Sequence, residues 1–363
     1  MATESKPNNR DTRRRFEQWA SNPQCEANTL SAVQNVRMSD VATHIGIKPS
    51  FGASPFALGR GEQFERAILA NGAERLIPEL RKVELIDQGQ SGFLDLRTKG
   101  NGGSNRSLTD LDQAIEESLE FLTQCGQAHD AEVFQLPAVV AALTVRIPRG
   151  VMLPEALLII DVVAVSAIQT DLGIRAQLSV GEVKTYPDRG GETNRGQLAQ
   201  ARAQLGLYLH ALEVIARDVL LENAPLLSDK GFLILTQPGS DFPKVRTGEH
   251  LRYQADRAER GFDRLENLAL QLVGNDKDAL DAILHAETHY SEACFGFCDL
   301  VPHCQAIAQS NQNPAILGDA MVNFLGNIGL KRAIELLEGN PPADSREAEM
   351  IERLRAAEEP GWE

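Results

Sequence analysis

Residues 174–186 read Ile-Arg-Ala-Gln-Leu-Ser-Val-Gly-Glu-Val-Lys-Thr-Tyr. Apolar and polar residues alternate here as in a half-buried strand, and Pro187 ends the run. Period two puts Glu182 and Lys184 on one face. Taken alone, such a pair reads as cross-strand surface charge. Upstream, residues 157–165, Leu-Leu-Ile-Ile-Asp-Val-Val-Ala-Val, form a second, strongly apolar strand. Asp161 in its middle is costly to bury unless a metal or a partner compensates it. Downstream, Leu198, Ala201, Leu205, Leu209 and Leu212 recur at helical spacing across 197–221. Gln204 and Tyr208 lie at i and i+4 on one face of that helix. Alone, that is an amphipathic helix with a half-buried tyrosine.

The whole chain has 363 residues, 42% of them hydrophobic, enough for one large domain or two small ones. Aromatic residues make up 5%, and the net charge is −15. That charge argues against a protein that coats nucleic acid generally, because such binding comes mainly from phosphate neutralisation. It still allows basic residues gathered along one groove. No apolar run reaches membrane-spanning length and the polar N-terminus has no apolar leader, so a cytoplasmic protein without membrane contact is expected.

In chain order, residues 1–12 read as disordered, and Arg13-Arg14-Arg15 as a solvated helix start. A helix is expected over 61–71. A Gly/Asn/Ser-rich loop occupies 99–106, followed by a helix over 110–124 that Asp110 caps. Strands are expected over 138–148 and 231–237, and helices over 248–273 and 276–290. Two or three helices make up 314–363, broken by Gly339-Asn-Pro-Pro342.

Asp161, Glu182 and Lys184 in this order resemble the D…ExK signature of the PD-(D/E)XK nucleases. Gln204-Leu-Gly-Leu-Tyr208 resembles the QxxxY motif of the RecB-like branch. Gly59-Arg60-Gly61-Glu62-Gln63-Phe64-Glu65 resembles the RGxxFE opening of that branch. The matches keep the family's order over about residues 55–215. The resemblance implies an α/β, restriction-endonuclease-like core of helix, three-stranded meander, helix and strand, with helical insertions and a helical C-terminal region. The expected segments are 1–54, the core at 55–245 with an insertion at about 76–137, a helical region at 246–310, and a tail at 311–363.

It further implies a metal-dependent DNA nuclease, with an exonuclease on single-stranded DNA or DNA ends favoured, in repair, CRISPR adaptation or phage defence. Glu65, Asp161, Glu182 and Val183 would hold Mg²⁺ or Mn²⁺, hard ions that take oxygen ligands. Lys184 would act on the reacting phosphate, and Gln204 and Tyr208 would position the scissile strand. Arg60, Arg189, Arg195 and Arg202 are candidate phosphate contacts by placement. The alternative is a cleavage-inactive DNA-binding or structural subunit of a larger helicase–nuclease or defence complex, with the tail as a docking segment.

Five cysteines stand at 25, 125, 294, 298 and 304. Cys294, Cys298, His303 and Cys304 form a C-x3-C-x5-C cluster with an adjacent histidine, which points to metal in a cytosolic protein. Its spacing alone fits zinc or an iron–sulfur cluster. A subset of the same branch, the AddB-type domains and the CRISPR-adaptation exonucleases, carries a [4Fe–4S] cluster on one cysteine before the core and three after it. That resemblance implies Cys25, Cys294, Cys298 and Cys304 as ligands, although the usual first spacing is one residue shorter. Cys125 has no counterpart in that set.

Overall fold

Two long strands, β3 (Leu157–Thr170) and β4 (Gly173–Pro187), form an antiparallel hairpin in a computed structural model of the chain. The structure describes residues 19, 22, 24–34, 36–49, 55–97, 108–146, 157–188, 195–272, 279–290, 294 and 297–358. The readings made for residues 1–15, 99–106 and Arg189, and for the side chain of Arg195, lie outside these. The chain divides into two compact units: Met1–Ala20 with Ala53–Asn275, and Ser21–Gly52 with Asp276–Glu363.

The first unit is α/β, built on a mixed seven-stranded sheet ordered β1-β2-β3-β4-β6-β7, with β5 (Leu226–Leu227) beside β4. β1 (Phe93–Asp95) runs parallel to β2 (Val139–Arg146), and β2 runs antiparallel to β3. β6 (Lys230–Thr236) is parallel to β4, and β7 (Pro243–His250) is antiparallel to β6.

Helices α1 (Pro55–Ala73) and α2 (Ile77–Lys82) cover one face. Phe64, Ile68, Leu76 and Leu80 meet Val162, Ala164, Phe232 and Ile234 there. Helices α3 (Leu108–Gln127), α4 (Arg195–Ile215) and α5 (Arg252–Leu272) belong to the same unit. Period two then sends Asp161 and Glu182 to the face opposite α1, toward α4.

Three expectations change. Residues 243–250 form an edge strand, not a prelude to a helix at 248; the buried Val245 and the β6 ladder hold it extended. The helix expected over 276–290 is confined to Ala279–Leu284 within the described residues. Helix α3 begins at Leu108, so Asp110 lies inside its first turn.

The second unit is helical among its described residues. Helices Glu26–Val33 and Met38–His44 contact Ala279–Leu284. Helices Asp319–Leu325, Leu330–Leu337 and Ser345–Glu358 share a small core of Leu325, Ala333, Leu336, Met350 and Ile351. No helix among the described residues is long and apolar enough to cross a membrane.

Candidate active site and cysteine centre

The sheet opens where Asp161 and Glu182 face each other. The β3–β4 ladder pairs Val162 with Gly181 and stops there. Beyond it, Asp161 Oδ2 accepts the Val183 N–H at 3.1 Å, so a side chain takes over from the ladder. On the other edge of β3, the ladder to β2 omits the position where Ala142 faces Asp161. Ala142 has φ +57, a left-handed conformation that costs an alanine about 1–2 kcal/mol. Past Val183, β4 carries four residues to Pro187 while β6 advances only two, so Lys184, Thr185 and Tyr186 bulge from the sheet. Such strain and bulging gather at functional sites.

A continuous relay follows. Glu182 is 1% exposed, and its Oε1 lies 2.6 Å from Lys184 Nζ. Lys184 Nζ also donates to Gln204 Oε1 at 3.0 Å, and Gln204 Nε2 donates to the Tyr208 hydroxyl at 3.1 Å. Tyr208 is fully buried. Its hydroxyl accepts from Gln204, and Gln204 uses both ends of its amide within the relay. Two glycines are required within these two motif elements, β4 and α4. A Cβ on Gly181 would meet the Phe232 ring at 2.3 Å, and one on Gly206 would meet Gln254 Cβ at 2.2 Å.

The structure thus brings together Asp161, Glu182, Val183, Lys184, Gln204 and Tyr208. Glu65 stands apart on α1, 3.8 Å from Arg97 Nη1, and Arg97 is itself locked to Asp95. Among the described residues no three His, Cys, Asp or Glu side chains converge on a single-ion site. Asp161, Glu182 and nearby backbone oxygens are the groups able to hold a hard cation. Arg60 donates to the Thr185 carbonyl at 3.3 Å, at the bulge.

Sequence reasoning missed Glu249, a buried carboxylate on β7 that holds both Arg202 and Arg246. It also missed buried Asp188, paired with Lys244 at 2.8 Å. Single charges in polar stretches carry no periodic signal, and the i, i+3 spacing of Arg246 and Glu249 was the only hint. Burial pushes the Tyr186 phenol up to about 12, in the combined field of Lys184, Glu182, Glu249 and Arg246.

In the second unit Cys25, Cys294, Cys298 and Cys304 line one pocket with Asn22, His289, Phe297 and Met38. Cys25 immediately precedes helix Glu26–Val33, and the Glu26 N–H bonds to the Glu287 carbonyl at 3.1 Å, tying the two chain segments together. Asn22 Nδ2 donates to the His289 carbonyl at 2.7 Å and to Cys294 Sγ at 3.3 Å. Burial raises the Cys25 thiol, pushes Cys304 up to about 12 and lifts Cys298 higher still; neighbouring cysteines add to each shift. Thiolates in such a pocket call for a compensating cation. The four cysteines share this pocket, though among the described residues no three of them converge on a single-ion site. His303 is not part of this lining, and His289 contributes a carbonyl. Cys125 is fully buried on α3, and burial pushes its thiol up to about 12. Comparison with protein-family models, curated proteins and solved structures gives no match to this chain.

Proposed function

We propose that the first unit is a Mg²⁺- or Mn²⁺-dependent DNA nuclease with a restriction-endonuclease-like core. The observation that carries the reading is the relay Glu182–Lys184–Gln204–Tyr208 set beside Asp161 where two strands part. The order α1, β2–β3–β4, α4, β6 supports the core assignment.

Asp161 and Glu182 would hold the metal, which polarises the phosphate and acidifies the attacking water. Lys184 presents a compact charge to the phosphate oxygens as negative charge builds on them. Gln204 fixes the direction of that ammonium, and Tyr208 fixes Gln204. Buried Glu182 holds Lys184 close; breaking a buried pair of this kind costs about 3–5 kcal/mol.

For the second unit we infer a [4Fe–4S] cluster on Cys25, Cys294, Cys298 and Cys304. The shared pocket and the donor chemistry support it, and zinc is the alternative that metal analysis separates. The cluster's part is structural: it joins residues 25 and 294–304.

The test is cleavage of end-labelled single- and double-stranded DNA with Mg²⁺, Mn²⁺ or EDTA. Lys184→Ala is expected to lose cleavage and keep DNA binding. Asp161→Ala is expected to lose cleavage and Mn²⁺ binding together. A Lys184→Ala protein that cuts at near wild-type rate ends the assignment.

A further inference from the structure

Asn22 is buried, and its side-chain nitrogen serves two acceptors. Nδ2 donates to the His289 carbonyl at 2.7 Å and to Cys294 Sγ at 3.3 Å. The first is an ordinary amide–carbonyl bond. The second is a poor match for a plain thiol, because thiol sulfur is a weak acceptor. A buried amide has given up water, so its acceptors have to compensate. An anionic, metal-bound sulfur does so, since hydrogen bonds to ionised groups are roughly twice as strong as neutral ones.

The donor is fixed from its own backbone. Asn28 Nδ2 and the Cys25 N–H both donate to the Asn22 carbonyl, each at 3.3 Å. That turn sets Asn22 beside Cys25, just before helix Glu26–Val33, and both residues line the cysteine pocket. The facing segment is fixed as well. The Glu26 N–H donates to the Glu287 carbonyl at 3.1 Å, and the Glu287 N–H donates to Glu26 Oε2 at 3.0 Å. Asn22 therefore reaches a cysteine 272 residues away through a bond between protein atoms alone.

We propose that Asn22 is a positioning residue of the cysteine centre, fixing the Cys294 side chain and donating to its sulfur in the loaded centre. The proposal rests on the cluster reading and adds a residue that cysteine spacing does not name. Residues that hold metal ligands in place typically change metal affinity 10–100-fold when mutated. Hydrogen bonds to the sulfurs also help set a cluster's reduction potential. A reduced cluster carries one more negative charge than an oxidised one, so a donor to its sulfur stabilises the reduced form more. Removing that donor lowers the potential. The potential serves here as a reporter of the bond, and the cluster's part stays structural.

The test uses full-length protein purified without oxygen. Asn22→Leu keeps the side-chain volume, Asn22→Ala shortens it, and both remove the donor without adding charge. Ser31→Ala is the control: it removes a buried bond to the Val36 carbonyl in the same unit, at a residue outside the cysteine pocket. Iron and sulfide are measured first, then iron release to a chelator. The potential follows from an EPR-monitored titration spanning the range of protein [4Fe–4S] centres. Both Asn22 variants are expected to release iron about tenfold faster or more, and to have a lower potential than wild type. Ser31→Ala is expected to lower Tm and leave both readouts at wild-type values. An iron-free Asn22 variant that melts no lower than metal-free Ser31→Ala supports the proposal, because the loss is then specific to the centre. An iron-free variant that melts lower assigns Asn22 to folding and overturns it. A loaded Asn22 variant at the wild-type potential or above overturns the proposal and leaves the cluster standing. Wild-type protein that holds zinc, or no metal, overturns the cluster and the proposal with it.

Discussion

Replacing Tyr208 by Phe removes one oxygen and nothing else from a fully buried ring. The hydroxyl accepts from Gln204 Nε2 at 3.1 Å, and Gln204 holds Lys184 at 3.0 Å. A neutral hydrogen bond contributes about 0.5–1.5 kcal/mol net. Gln204 is half-buried, so water can take up its freed amide, and the loss should fall near the middle of that range. For a unit of this size, 1 kcal/mol lowers Tm by about 2–4 °C. If the same energy is withdrawn from the orientation of Lys184, cleavage slows by about fivefold. A double-mutant cycle isolates the route. Tyr208→Phe is expected to slow wild-type cleavage, yet to add nothing in a Gln204→Ala background, because its effect passes through Gln204. Full additivity of the two rate losses would refute the relay and assign the phenol a role of its own. An unchanged Tm would refute the hydrogen bond.

Other expectations follow from packing and charge. Gly206→Ala should lower Tm, since a Cβ 2.2 Å from Gln254 Cβ costs about 1–3 kcal/mol of overpacking against roughly 1 kcal/mol of helix propensity gained. His210 is buried, its ring stacks on Phe262 at 5.1 Å, and its Nε2 has no hydrogen-bond partner among the described residues. Burial lowers its pKa below 6.5, partly offset by Glu259 and Glu213, so on acidification the unfolded chain takes the proton first. Stability is therefore fully present above pH 6.5 and lost as the pH falls toward the folded pKa; His210→Phe should flatten that part of the Tm–pH curve. Cys25→Ala should abolish iron and sulfide in protein purified without oxygen and leave it protease-sensitive, whereas Cys125→Ala should keep both. Stoichiometric zinc without iron in the wild type would refute the cluster.

Sequence alone placed the long elements around the site, because their patterns are periodic. The apolar run around Asp161, the alternation through Glu182 and Lys184, and the heptad-like leucines of α4 each persist for two turns or more. Short or polar elements escaped. β1 has three residues, and β7 mixes Pro, Gly and charge, so both exist through their neighbours rather than through their own propensity. Three cysteines could be read from their spacing, but Cys25 could not; its position beside the others comes from tertiary contacts 270 residues along the chain. Gly181 and Gly206 carry no signal of their own in the sequence, and only the Phe232 ring and the Gln254 side chain packed on them explain why no Cβ fits. Glu249 was invisible because the bulge that turns it inward is a property of the β6–β7 pairing.

The unit that bears Cys25, Cys294, Cys298 and Cys304 is made from two distant stretches of chain, Ser21–Gly52 and Asp276–Glu363. During synthesis its first part leaves the ribosome while its second has yet to be translated. The intervening 53–275 takes roughly 10–45 s at about 5–20 residues per second. Through that interval Cys25 is a lone thiol on an unsupported segment, while the sheet unit can already fold. Any nascent chain released early would therefore display an intact α/β unit with an orphaned internal stretch at 21–52, a species that protein quality control would meet as a half-finished product.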